Sequence, residues 1–487
     1  MSNLLSALGS AGDAVSVFER AIAVTQNNIA NSSTPGYVEQ TATFDALPFS
    51  SVSGATGGVI TGPVTSARNI YAESSVQQAQ TALGTWQEQV NTLQGLQTNF
   101  DITGAAGIPG ALNTLFSAFS TWAASPNDST ARQTVLTSAQ GLSTAFQQQA
   151  AAVSAAATSA DSELGSLVSQ VNTLAGKIRQ DNIQSSAGGP ADSAVDADLY
   201  NNLEQLAQIV PITALKESNG STSVLIGGQT PLVIGQQQYT ISSNIAVPTN
   251  PPPANPAGPP SAQILDSNGN DITAQITTGQ IGGVLQARNG TLAQLQGDAN
   301  QPGSLNQLAQ AVADRVNTLL TGGNVTNADP VSGAAAVPGV ALFTYDATNP
   351  AATAGTLSVN PEITPGQLAA IDPGPPEVDN GIPLKLANLA TPQNAADEIN
   401  NMSYTQFYGT MAGQLGTAIS TAQGNQTTTQ DALTQAQTLR QQGSGVDLNS
   451  EAIKVLQFQQ AYDAASKMVT ILDQLTQNFL DAIQLVQ

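Results

Sequence analysis

Apolar residues recur every three or four positions at both ends of this 487-residue chain, and this pattern limits its fold more than any other feature. In the first thirty residues the series is Leu4, Leu8, Ala11, Val15, Phe18, Ile22, Thr25 and Ile29. In the last forty, three sevenfold series run side by side: Leu448, Val455, Tyr462, Val469, Thr476 and Ile483; Phe458, Ala465, Leu472, Phe479 and Val486; and Ala461, Met468, Leu475 and Ala482. Steps of three and four residues indicate heptad helices.

Each of these helices carries an apolar face that must be covered by protein. Residues 446–487 contain neither Gly nor Pro, which predicts one helix roughly 60 Å long at about 1.5 Å per residue. Both could be core helices of an ordinary bundle. Their position at opposite ends of the chain favours pairing with each other and with neighbouring subunits. The predicted interface residues are Leu8, Val15, Phe18 and Ile22 in the first helix, and Phe458, Tyr462, Val469, Leu472 and Phe479 in the last.

The composition excludes several kinds of chemistry. With no His and no Cys, the chain cannot build a Ser-His-Asp or Cys-His nucleophile, a thiolate or imidazole metal site, or a disulfide. Its 12 basic and 34 acidic residues give a net charge of −22, which disfavours nucleic acid and anionic membranes as partners. No cofactor site and no catalytic residue are predicted.

The segment Thr34-Pro35-Gly36-Tyr37 predicts a turn directly after the first helix. Proline fixes φ for the second position of a type II turn, and glycine accepts the positive φ of the third. Such a turn would end the first helix and aim it at neighbouring subunits.

Two motifs at opposite ends of the chain carry a family resemblance. Asn27-Asn28-Ile29-Ala30-Asn31, followed by Thr34-Pro35-Gly36-Tyr37, resembles the N-terminal signature of flagellar axial proteins, the family of rod, hook and hook-associated proteins. The run from Gly445 to Glu451, with Phe458-Gln459-Gln460-Ala461-Tyr462, is similar to their C-terminal signature. The resemblance adds Asn28, Pro35 and Gly36 to the expected assembly interface.

The chain is more similar to the hook-associated branch that joins hook to filament than to rod or hook proteins. Five segments carry this likeness besides the Phe458–Tyr462 run: Leu112–Phe119, Pro126–Asp128, Ala131–Gln133, Gly282–Arg288 and Thr356–Pro361. This resemblance implies a structural junction protein that polymerises through its terminal helices. It further implies hook protein, hook-associated protein 3 and further copies of the chain as partners, an export chaperone on the C-terminal helix, and an extracellular location without a cleaved signal peptide.

Two other functions stay open. The chain could be a different axial subunit, of the hook or the filament, that polymerises indefinitely. It could also be a secreted hydrolase that uses a pair of carboxylates, although 34 acids produce pairs by chance. The run Asp266-x-Asn268-x-Asn270 resembles the start of a calcium loop, but Asp271 and Thr277 replace the Gly and Glu that such a loop needs, so a turn is predicted.

The predicted fold is mainly α with inserted β-containing lobes. Residues 1–66 and 446–487 form the terminal coiled-coil region, and residues 67–211, 281–320 and 403–445 form a long-helix bundle. Residues 212–280 form a β-like lobe with a Pro-rich loop at 248–260, and residues 321–402 form a Gly- and Pro-rich outer segment. Between the first helix and residue 70 the sequence predicts extended chain and loop.

Overall fold

The computed structural model describes residues 2–50, 55–100, 106–186, 192–247, 252–328, 331 and 334–484. The helices are α1 (Ser2–Asn31), α2 (Ile70–Gln94), α3 (Gly107–Ala124), α4 (Ser129–Ser185), α5 (Ser193–Ile209), α6 (Gly279–Gln286), α7 (Ala293–Gln296), α8 (Ser304–Thr321), α9 (Thr353–Thr356), α10 (Gly381–Ala387), α11 (Tyr404–Ser444) and α12 (Leu448–Gln484). The two predicted terminal helices are confirmed. They are α1 and α12, and α12 has 37 residues.

All the paired strands are antiparallel. They are β1 (Gln40–Ser50), β2 (Ala55–Ser66), β3 (Ile212–Lys216), β4 (Thr222–Ile226), β5 (Thr230–Ile234), β6 (Gln237–Gln238), β7 (Ser242–Ala246), β8 (Ser261–Leu265), β9 (Asn324–Thr326), β10 (Val337–Pro338), β11 (Phe343–Thr344) and β12 (Ser358–Val359). One sheet has the order β3-β4-β5-β6, and the other strands pair as β1-β2, β7-β8, β9-β10 and β11-β12. The predicted mainly α fold with β-containing lobes is confirmed.

Two segments differ from the sequence prediction. Residues 40–66, predicted as extended chain and loop, form the long hairpin β1-β2, in which Gly57 and Gly58 adopt positive φ inside a strand instead of ending it. The predicted helix over 281–320 is interrupted between α7 and α8, where Gly297 and Gly303 have φ of +88° and +80°. A π-helical turn at Ala287–Leu292 joins α6 to α7.

The chain divides into two compact units. Unit 1 consists of residues 1–82, 171–239 and 429–487, and it contains α1, the β1-β2 hairpin, α5, the four-stranded sheet and α12. Asn182, near the end of α4, holds this sheet: its amide nitrogen donates to the carbonyls of Thr222 and Gly235, and its oxygen accepts from the Thr222 N–H.

Unit 2 consists of residues 83–170 and 240–428. Its core contains the fully buried Trp122, Phe119, Phe146 and Tyr408. The Tyr408 hydroxyl is hydrogen-bonded to the buried Gln149 side chain at 3.2 Å, so this hydroxyl has a partner inside the core.

Unit 2 also includes the segment 321–402, which the sequence analysis set apart as an outer segment. Leu342, Phe343, Leu368 and Leu386 from this segment are buried in the unit 2 core together with α3 and α8. The short apolar runs between the glycines and prolines of this segment therefore pack inward. Of the predicted Pro-rich loop, residues 248–251 lie outside the described residues, and residues 252–260 form irregular chain that leads into β8.

Candidate assembly interface

The terminal helices α1 and α12 pair in antiparallel fashion within unit 1. Asn28, near the end of α1, contacts Glu451 in the first turn of α12. Further back along α1, Phe18 contacts Phe44 of the hairpin, and Phe44 in turn contacts Phe458; the ring centroids are 6.5 and 6.0 Å apart. These separations are in the range of favourable aromatic pairs. The hairpin therefore joins the two helices as a third element.

The buried face of α1 overlaps the predicted one, since Ala11 and Thr25 belong to both, but its centre is displaced. Ala11, Val17, Ala21 and Thr25 are its buried apolar and small residues. The predicted interface residues Leu8, Val15, Phe18 and Ile22 are each half-buried. The reason is that α1 packs against the hairpin as well as against α12, which moves the centre of its buried face toward Val17 and Ala21. The predicted residues thus lie at the edge of the intramolecular contact.

On α12, four of the five predicted residues face α1 and the hairpin. Phe458, Tyr462, Val469 and Leu472 are half-buried, whereas Phe479 is exposed. Their role in contacts with another subunit stays a prediction.

A second apolar stripe lies on α12 outside this contact. Its members are 49–60% exposed: Ile453, Leu456, Met468, Ile471 and Leu475. We call these five residues the outer stripe. The sevenfold series of the sequence contain Met468 and Leu475 but not Ile453, Leu456 or Ile471. Counting every apolar residue of α12, instead of the sevenfold series alone, would have shown that the helix is apolar on two sides.

A groove of about 700 Å³ runs between α1 and α12. Small residues line much of it, and Phe49, which is 77% exposed, stands at its edge. The lining residues of the two helices are Ala7, Ser10, Ala11, Ala14, Phe18, Ala461, Ala464, Ala465, Met468 and Leu472. The helix pair therefore offers both a groove and the outer stripe as apolar surface.

Asn28 makes every hydrogen bond that its side chain can make. Its amide nitrogen donates to the Glu451 carboxylate at 2.8 Å and to the Gln40 carbonyl at 2.8 Å. Its oxygen accepts from the Gln40 N–H at 3.0 Å and from the Tyr37 hydroxyl at 2.9 Å. Asn28 is 1% exposed and Glu451 is 0% exposed. The two signature motifs from opposite ends of the sequence thus meet at one buried contact.

Lys454 compensates the buried charge of Glu451. Its ammonium lies 2.6 Å from the Glu451 carboxylate and 2.6 Å from that of Glu39. Burial opposes the charged form of Lys454, but the two carboxylates outweigh this effect and raise its pKa. We call Asn28, Tyr37, Glu39, Glu451 and Lys454 the polar cluster. It joins the end of α1, the chain leading into β1 and the first turn of α12.

The turn after α1 has the predicted type II geometry. The Tyr37 N–H donates to the Thr34 carbonyl at 3.1 Å, and Gly36 has φ of +76°. Pro35 is exposed, whereas Gly36 is half-buried against α5. A Cβ atom at Gly36 would overlap the carbonyl oxygen of Ala197, so glycine is required here for space as well as for its positive φ.

Arginine side chains hold this turn against the rest of unit 1. Arg68 donates to the Gly36 carbonyl at 2.7 Å, pairs with Glu73 at 2.6 Å and with Asp196 at 2.9 Å, and stacks on the Tyr200 ring at 3.8 Å. The turn is therefore tied directly to α2 and α5 through one guanidinium group.

Arg440 of α11 reaches the same carboxylate of Glu73 at 3.1 Å and pairs with Glu204 at 2.7 Å. Burial would lower the pKa of Arg440, but Glu204 and Glu73 outweigh it and raise the pKa. Glu73, which is 4% exposed, thus has two guanidinium partners. Such a satisfied ionic network fixes the direction in which the chain leaves α1.

Two of the other sites considered in the sequence have a structural explanation. Asp266 accepts hydrogen bonds from the N–H groups of Asn268 and Asn270, each at 2.8 Å, which confirms the predicted turn. Arg288, in the Gly282–Arg288 segment, pairs with Asp161 at 2.9 Å inside unit 2. Among the residues that the structure describes, no group of three or more acids is arranged to hold a metal ion.

Known proteins support the same assignment as these motifs. A family model described as flagellar hook-associated protein FlgK helical domain matches residues 93–334, and one described as flagellar basal body rod FlgEFG protein C-terminal matches residues 438–482. The first match covers about half of the chain, and the second covers most of α12. The chain belongs to the flagellar hook-associated protein family.

Two relatives and one solved structure are similar to the chain, and the two relatives bear the name of this family. Flagellar hook-associated protein 1 of Bacillus subtilis is 23% identical over 515 aligned positions, covering 99% of each chain. The protein of the same name from Salmonella typhimurium is 26% identical over 63% of this chain and 54% of its own length. The flagellar hook junction protein FlgK of Burkholderia pseudomallei, a solved structure, is 26% identical over 55% of this chain and 46% of its own, with a TM-score of 0.46.

Members of this family are structural proteins of the flagellum. Across the described parts of this chain, no helix is both long and apolar enough to span a membrane.

Proposed function

We propose that the chain is a structural junction subunit of the bacterial flagellum, which polymerises between hook and filament through α1 and α12. The outer stripe is the observation that carries this proposal. Five large apolar side chains on one helix are about half exposed in the single chain. Such a patch on a soluble chain is typical of a surface that another protein covers.

The expected gain from covering the outer stripe is large enough to drive assembly. Burying the exposed half of each side chain contributes about 1 kcal/mol, or on the order of 5 kcal/mol for the stripe. Further apolar area is available in the groove between α1 and α12. The net charge of −22 opposes close association, so the contact depends on these apolar faces.

The predicted residues form two parts of this interface. One part holds the helix pair together and contributes its exposed edges to neighbouring subunits. It consists of Leu8, Val15, Phe18 and Ile22 of α1 and Phe458, Tyr462, Val469 and Leu472 of α12. Phe479 extends the exposed surface near the end of α12. Asn28, Pro35 and Gly36 set the direction of α1 and so contribute to assembly through geometry.

The partners follow from this position in the flagellum. Hook protein lies on one side of the junction, hook-associated protein 3 lies on the other, and further copies of the chain lie beside it. Before export, a flagellar chaperone covers the apolar faces of α12. The chain then works outside the cell and has no catalytic role.

Deleting the gene tests the proposal. We expect electron microscopy of the deletion strain to show hooks without filaments, and a blot of the medium to show shed flagellin. Restoring the gene on a plasmid is the control and should restore filaments. Normal filaments in the deletion strain would contradict a junction role.

A further inference from the structure

The apolar contact between α1 and α12 does not by itself determine how far one helix is shifted along the other. Its residues repeat every seven positions, as in Phe458, Ala465 and Leu472 on α12. Sliding α12 by seven residues therefore replaces one apolar side chain with another at most positions. Heptad contacts of this kind need an additional feature to select one alignment.

The observed alignment leaves the last heptad of α12 beyond α1. Ser2, where α1 begins, lies 26 residues before Asn28, and the residue 26 positions after Glu451 is Gln477. Phe479 and Leu480, 48% and 47% exposed, accordingly extend past the end of α1. A shift of seven residues would place them against α1 and would leave the first turns of α12 uncovered instead. The length of apolar face that is covered thus differs little between the two alignments, although the shift would bring Ala465 to the place of Phe458 beside Phe44.

The polar cluster distinguishes the observed alignment from the one shifted by seven residues. In the shifted alignment Asn28 would lie opposite Phe458, and its buried amide would lose the Glu451 carboxylate as an acceptor. A buried amide or charge without a partner is strongly disfavoured. From these contacts we infer that Glu451 and Lys454, together with Asn28 and Glu39, are the specificity determinants that fix the alignment of α1 with α12.

This inference concerns the folded chain and does not depend on its place in the flagellum. If the proposed function also holds, the alignment has a consequence for assembly. A shift of seven residues moves the outer stripe by about 10 Å along the helix pair, which would misplace it against neighbouring subunits.

Disulfide trapping can test the alignment, because the chain has no Cys and the only thiols are those introduced. Ala14 lies fourteen residues before Asn28, Ala465 lies fourteen residues after Glu451, and both line the groove between the helices. Ala14→Cys with Ala465→Cys therefore reports the observed alignment. Ala14→Cys with Leu472→Cys reports the alignment shifted by seven residues. Formation of each disulfide is measured on dilute purified chain by non-reducing electrophoresis.

The test variant is Glu451→Met with Lys454→Met, which removes the α12 half of the polar cluster. Asn28 keeps its bonds to Gln40 and Tyr37, and methionine preserves much of the side-chain volume. We expect the Ala14–Leu472 disulfide to increase at least about tenfold, since loss of the polar preference leaves two apolar alignments of similar free energy.

Two controls accompany this measurement. Glu451→Gln keeps an acceptor for Asn28 and should trap only the observed alignment. Arg315→Leu with Asp397→Leu removes an ion pair of 2.7 Å in unit 2 and should not change either disulfide.

Two results would overturn the inference. One is an unchanged Ala14–Leu472 yield in a Glu451→Met, Lys454→Met chain that keeps its helical circular dichroism. The other is loss of the helical signal in this variant while Glu451→Gln stays folded, because the cluster would then be required for helix formation and not for alignment.

Discussion

Ile471→Asp is expected to abolish filament assembly while leaving the isolated chain folded. Ile471 is 56% exposed in the middle of the outer stripe, so a charge there stays in water in the free subunit. The free energy of unfolding should change by less than about 0.5 kcal/mol. In the assembled junction the same carboxylate would be buried without a partner, at a cost of about 2 kcal/mol or more at each contact, which lowers affinity roughly 30-fold.

The assay is complementation of the deletion strain, with filaments per cell counted by electron microscopy. Thr470→Asp is the matched control, because it adds the same charge to the adjacent, exposed position outside the outer stripe. We expect Thr470→Asp to restore filaments. Normal filaments with Ile471→Asp would show that the outer stripe is not an assembly surface.

Phe458→Asp should have a different effect, because Phe458 lies on the intramolecular side of α12. Its ring packs edge-on against Phe44, whose own ring contacts Phe18. Replacing this half-buried ring with a carboxylate should destabilise the α1–α12 pair by about 2–3 kcal/mol and also prevent assembly. The unit 2 core around Trp122 contains no part of α12 and should keep its structure.

Two measurements separate these effects. Hydrogen exchange should show weakened protection in α1 and α12 and unchanged protection in α3 and α8. Gln459→Asp, at the neighbouring exposed position, is the control and should change neither protection nor filament number. Undiminished protection of both terminal helices in Phe458→Asp would contradict the role assigned to the aromatic contact.

The terminal helices could be predicted from the sequence because their pattern is local. Residues 448–484 lack Gly and Pro and repeat every seven positions, so the helix and one of its faces follow directly. The turn at Pro35-Gly36 is equally local. The need for space at Gly36 is not local, because the carbonyl of Ala197 that excludes a Cβ there comes from a distant part of the chain.

Contacts between distant segments account for what the sequence analysis missed. The pattern of α1 predicts a face for α12 but contains no sign of the hairpin that shares it. Nor does the sequence reveal which of the 34 acids are buried: Glu451 is buried and hydrogen-bonded beside Asn28, which is 423 positions away. In the segment 321–402, Leu342 and Leu386 stand in short runs between glycines and prolines, and only tertiary packing identifies them as core residues.

The most direct test of the junction role is the position of the chain in intact flagella. An epitope inserted at the exposed Asn268-Gly269 turn would be labelled with gold on flagella isolated from a complemented deletion strain. A junction subunit predicts gold confined to the boundary between hook and filament. Gold distributed along the hook or the filament would contradict the account and would identify an axial subunit that polymerises indefinitely.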